Sequence, residues 1–127
     1  MRNDTDYVAS FESGTIDPAT FTHKNHVAVA YHILSQEDFL SASIKYTRCI
    51  KQIVRKAGAP EKFNTTITLA FLSLIAERMN HSPSTSYEEF ISNNTDLLDS
   101  KVLHQWYSHE RLHSDMARTT FLLPNLA

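Results

Sequence analysis

Apolar positions recur along most of this chain with the period of an α-helix, and the breaks between them carry helix-capping residues rather than hairpin turns. Tyr7, Val8 and Phe11 share one helical face in a segment from about Asp6 to Ser13, and Gly14 is suited to end it in a left-handed cap. Asp17 and Pro18 form a turn signal leading to Phe21, after which Thr22 caps a second helix reaching about Leu34. Ser35, followed by Gln36, Glu37 and Asp38, reads as the N-cap of a third helix that runs to Ala57 and stops at Gly58 and Pro60. At about 100° per residue, Phe39, Ala42, Tyr46, Cys49, Ile50, Ile53 and Ala57 of that helix gather in one arc. Lys45, Arg48, Lys51 and Arg55 fill the opposite one.

Pro60 and Glu61 open a fourth helix continuing to about Met79, and the stretch from Ile67 to Ala76 is apolar on nearly every side, which marks a central helix. A loop follows from Asn80. Thr85 with Glu88, or Ser86 with Glu89, then offers a capping box for a short helix through Ile91, ended by Asn93 and Asn94. A further helix from about Ser100 to Tyr107 turns Val102, Leu103 and Trp106 inward. Ser108 and Ser114 are spaced as successive N-caps, predicting a turn over His109 to His113 and a last helix from Asp115 to Leu122. The expected fold is therefore all-α: one compact domain over residues 1–127, a bundle of five to seven helices around a central apolar one.

Composition agrees with this picture. A chain of 127 residues suits one hydrophobic core, and two glycines with four prolines leave room for long helices. No apolar run approaches the roughly 18 residues of a membrane span, so no membrane partner is expected. The polar start Met1-Arg2-Asn3-Asp4 does not resemble a secretory signal, and the single cysteine, Cys49, has no partner for an internal disulfide. Both features fit a cytoplasmic protein in which Cys49 packs as a small hydrophobe. A net charge of -2 argues against nucleic acid as a partner, leaving the basic stripe Lys45, Arg48, Lys51 and Arg55 as a solvated face or a site for phosphate groups or an acidic partner.

Seven histidines in so short a chain draw attention to imidazole chemistry. His23 and His26 lie three residues apart, on one face of the second helix, where they can share a divalent metal or hold a polar ligand. The dipole at a helix N-terminus disfavours imidazolium there, so both rings suit a ligand, acceptor or base. The plainer alternative is a solvated His23 and a structural hydrogen bond at His26. His109 and His113 have the i,i+4 separation of helical metal sites, or stand on the surface around a turn. Asn64 and Thr68, also four apart, can present an amide and a hydroxyl to a small molecule; equally, Asn64 or Thr65 can cap the fourth helix while threonines bond to their own backbone. Tyr107, Arg111 and Arg118 add a phenol and two guanidinium groups suited to an anionic substrate, if the tail folds over the same end.

The segments Phe21 to His26, Lys62 to Thr68 and Tyr107 to Arg118 resemble a group of small bacterial helical proteins marked by a Phe-x-His-x-x-His segment. The resemblance covers about Phe11 to Pro124 and implies that the three segments belong together, without implying an activity. An acidic residue is frequent in that group where this chain has Asn25, and a histidine where it has Asn64.

Two classes of function follow. In the first, the chain binds a small molecule and acts as an enzyme in a polar pocket at one end of the bundle, with His23 or His26 as base or metal ligand, Asn64 and Thr68 orienting the substrate, and Tyr107, Arg111 and Arg118 binding it. In the second it is a non-catalytic ligand-sensing or protein-interaction module, as a monomer or homodimer, with an exposed apolar patch and Tyr31, Trp106 and Tyr107 as anchors.

Overall fold

The computed structural model describes residues 4–126, with side chains from residue 8 onward, so the Tyr7 side chain and the N-terminal residues 1–3 lie outside the described residues. Seven α-helices are present among them: α1 (Asp4–Ser13), α2 (His23–Gln36), α3 (Phe39–Lys56), α4 (Thr65–His81), α5 (Tyr87–Ser92), α6 (His109–Leu112) and α7 (Asp115–Thr119). Four 3-10 turns link them, at Pro18–Thr20, Pro60–Lys62, Thr95–Leu98 and Val102–Gln105, and no strand occurs among the described residues. The fold is all-α, as the periodicity predicts.

The helix α4 is the centre. Its buried residues Thr66, Thr68, Ala70, Phe71, Leu72, Leu74 and Ile75 point in several directions, and it packs against α2, α3, α7 and the turn Val102–Gln105. Around it lie Phe11 of α1, Val27, Val29, Ala30 and Ile33 of α2, Tyr46 and Cys49 of α3, and Phe90 of α5, all but excluded from solvent. Side chains of this size contribute about 1.5–3 kcal/mol each on full burial, so the layers close mainly through apolar area. Cys49 behaves as a small hydrophobe, and burial pushes its thiol pKa up.

Capping residues set most of the boundaries. Gly14 and Gly58 adopt φ of 76° and 75° after α1 and α3, the left-handed region that a side chain enters only with strain. Ser86, Ser108 and Ser114 each accept the backbone N–H three residues on, as N-caps. Four details differ from the sequence expectation. Asp38, not Ser35, caps α3 by accepting the Ser41 amide at 2.8 Å, while the Ser35 hydroxyl bonds back to Tyr31 inside α2. The fourth helix begins at Thr65 because the Asn64 side chain takes the Ile67 amide, and Pro60 opens only a 3-10 turn. The segment expected as a helix to Tyr107 is a 3-10 turn that still buries Val102 and Leu103. The last helix ends at Thr119 because the chain beyond it runs extended along α4.

Candidate functional site

Thr22 and Asn25 close a capping box at the start of α2, and this fixes both candidate histidines. His23 reaches across to the turn Thr95–Leu98, where its Nε2 lies 2.8 Å from the Leu97 carbonyl oxygen. That oxygen can only accept, so His23 donates from Nε2, and its neutral tautomer leaves Nδ1 unprotonated. The same ring packs on Phe71 of α4 at 5.0 Å between centroids, one helical turn beyond Thr68. His26 lies edge-on to Phe21 at 4.3 Å, with His23 at 6.3 Å. Burial, aided by the neighbouring His23, lowers the His26 pKa from 6.5 to about 4, so its ring is neutral at pH 7. Among the described residues no group of three His, Cys, Asp or Glu side chains is arranged to hold a metal ion.

The opening of α4 and the C-terminal segment do meet, through hydrogen bonds that occupy the polar atoms. Asn64 uses both ends of its amide, accepting from Ile67 and donating to the Leu112 carbonyl at 2.7 Å. Thr65 donates to the Arg118 carbonyl at 2.8 Å and Thr66 to the Thr120 carbonyl at 2.6 Å. The Thr66 hydroxyl also accepts the Leu122 amide at 3.0 Å. Further along, the Tyr107 hydroxyl donates to the Leu122 carbonyl and Arg111 Nε to the Leu123 carbonyl. Arg118 Nε is buried without a hydrogen-bond partner, and its Nη1 stands 3.9 Å from Asp115. Thr68 is buried on α4. Asn64, Tyr107 and Arg111, expected to hold a substrate, thus spend polar groups on fastening the tail.

The fastened tail encloses a different cavity. Between α4 and the chain from Leu103 to Pro124 lies a cleft of about 410 Å³ with Leu74, Leu103, Trp106, Tyr107 and Phe121 on its walls. Glu77, Arg78 and His81, all on α4, supply its polar groups. Arg78 is already committed: Asp96 accepts two of its hydrogen bonds, at 2.9 and 2.8 Å, and the buried Asn94 side chain a third at 3.0 Å. This pairing lowers the Asp96 pKa. Glu77 is exposed and forms no ion pair among the described residues, and the neighbouring Arg78 cation acts on it only through space. A volume in the range of small-ligand sites, apolar walls and a few convergent polar groups are the usual features of a binding pocket.

Sequence reasoning named Trp106 and Tyr107 as anchors but missed Glu77, Arg78, His81 and Phe121. The signal for Glu77 and His81 was available, since they lie four residues apart, one and two turns beyond Ser73 on the same side of α4. Phe121 was hidden by the expectation that it sat inside a helix. His104, His109 and His113 also meet in a chain, with ring centroids 5.7 Å and 4.3 Å apart, and burial with repulsion from the other two lowers the His113 pKa. The chain matches no family model, no curated protein and no solved structure.

Proposed function

We propose that this chain is a non-catalytic module that binds a small apolar molecule with a cationic end in the cleft between α4 and the C-terminal segment. The carrying observation is the combination of aromatic walls at Trp106, Tyr107 and Phe121 with a Glu77 carboxylate that forms no ion pair among the described residues. An apolar body gains by leaving water, and aromatic faces attract a nearby cation. A cation seated against the aromatic walls lies within reach of the exposed Glu77 carboxylate at the rim of the cleft. A carboxylate ligand gains less, because the Arg78 guanidinium is held by Asp96 and Asn94.

Trp106 is the one tryptophan in the sequence and reports on the cleft by its fluorescence. Titration with a phenylalkylamine is expected to give a saturable change with Kd on the order of 100 μM, a value suited to a ligand of about ten heavy atoms. The matched phenylalkyl carboxylate binds at least several-fold more weakly. Equal binding of the two, or no saturable change with either, contradicts the proposal.

A second, enzymatic reading is favoured by His26. Its ring stays neutral at physiological pH beside a second imidazole, which suits a base or one ligand of a divalent metal, here chiefly zinc. Calorimetric titration of zinc into protein lacking a histidine tag checks it. Binding that disappears in His26→Ala favours this reading, and no binding removes its metal form.

A further inference from the structure

α3 turns a second face outward, away from the cleft described above. Ile44, Arg48, Lys51 and Arg55 recur at intervals of four, three and four residues and so share one side of the helix. With Leu69 of α4 they line a groove of about 520 Å³. Ile44, 67% exposed, is an apolar side chain standing in solvent within it. Lys45, which the sequence grouped with the stripe, is compensated by Glu37 at 2.8 Å and Glu12 at 3.4 Å. Arg48, Lys51 and Arg55 have no ion-pair partner among the described residues, and the Lys51 ammonium rests 5.1 Å above the Phe63 ring. Three uncompensated cations on one side of a chain whose net charge is -2 form a local field that the remainder does not share. Like charges three and four residues apart also destabilise the free helix, a cost that an acidic partner removes.

We propose that this groove docks an acidic amphipathic helix of a partner protein, which seats apolar side chains on Ile44 and Leu69 and carboxylates on Arg48, Lys51 and Arg55. Charge complementarity selects an acidic occupant, and the shape selects a peptide. Ile44 and Leu69 give the open groove between α3 and α4 its apolar contacts, with the three cations in line along α3, an arrangement that an amphipathic helix meets with one face. The lining carries no aromatic ring for stacking bases, which disfavours single-stranded nucleic acid. Seven residues separate Arg48 from Arg55, a rise of about 10 Å, matching carboxylates on successive turns of a docked helix.

The test uses the full chain and a fluorescein-labelled helical peptide with two leucines four residues apart, flanked by glutamates. Saturable binding with micromolar Kd is expected, weakening about tenfold from low to physiological salt. The exposed double variants Arg48→Glu/Lys51→Glu and Arg48→Gln/Lys51→Gln, each checked for an unchanged melting temperature, lose at least about tenfold and about threefold in affinity. Ile44→Ser, or replacement of the peptide leucines by glutamine, also weakens binding several-fold. Phosphatidylserine-containing vesicles and poly-uridine RNA serve as competitors. No peptide binding, binding indifferent to the charge changes, or tighter binding of vesicles or RNA overturns the proposal. The amine titration followed through Trp106 is unaffected by these variants, so the two sites succeed or fail separately.

Discussion

A single hydroxyl, that of Thr66, holds Leu122: it accepts the Leu122 amide at 3.0 Å while donating to the Thr120 carbonyl at 2.6 Å. The side chain and its bond to Leu122 are fully buried, so the Leu122 amide has no water as a substitute, whereas Thr120 is exposed. Thr66→Val removes both bonds and is expected to cost about 1–2 kcal/mol, chiefly the penalty for stranding the buried Leu122 amide. Thr66→Ser recovers most of it. Denaturant unfolding measures the loss, and faster hydrogen exchange at the Leu122 amide locates it.

Thr47 offers the opposite case. Its hydroxyl is buried and has no hydrogen-bond partner among the described residues. Thr47→Val removes the stranded hydroxyl at little change in volume and is expected to raise stability by about 1 kcal/mol. A lower melting temperature in this variant contradicts the assignment.

The lowered pKa of His26 makes folding sensitive to mild acid. Its folded value is about 4 against an ordinary 6.5, so the unfolded chain binds the extra proton first. This contribution is intact above pH 6.5, falls as the pH drops through 6.5, and is fully lost below 4. The loss is about 3 kcal/mol over that window, at about 1.4 kcal/mol per unit. His113, lowered in the same direction, adds to it. The carboxylates with depressed values, Asp38 and Asp96, lose their contributions only below their ordinary 3.8, beneath the histidine window. Unfolding measured from pH 7 to 4 is expected to flatten in His26→Gln.

The Arg78–Asp96 pair links stability to the cleft. Both side chains are partly exposed, so Asp96→Asn is expected to cost no more than about 1 kcal/mol. Freed from Asp96, the Arg78 charge acts more fully on the neighbouring Glu77, and amine affinity measured by Trp106 fluorescence is expected to fall several-fold.

Helix identity was legible wherever a single helix carried its own signal. The apolar face of α3 is that kind of signal, and Ala42, Tyr46, Cys49 and Ile53 are buried as expected, although Phe39 at its start is exposed. The serine caps at Ser108 and Ser114 were equally local. What the sequence did not disclose depends on distant partners. Residues 120–126 have no pattern that distinguishes a helix end from an extended strap, and the choice is made by Thr66, some fifty residues earlier. The same strap converts Asn64, Tyr107 and Arg111 from expected ligand contacts into fasteners. It also creates the cleft, so Phe121 could not be assigned to a wall before its path was known. For the histidines, three-residue spacing placed both rings at the start of α2. It gave no hint that Leu97 would engage His23 or that Phe21 would cover His26.

Nuclear magnetic resonance of the isotopically labelled chain titrated with a phenylalkylamine tests the ligand-binding account most directly. Saturable shifts are predicted at the Trp106 indole and the Leu74 and Leu103 methyl groups, with contacts from the bound amine to Phe121. Shifts confined to the His23 and His26 rings, with the Trp106 indole unmoved, contradict it.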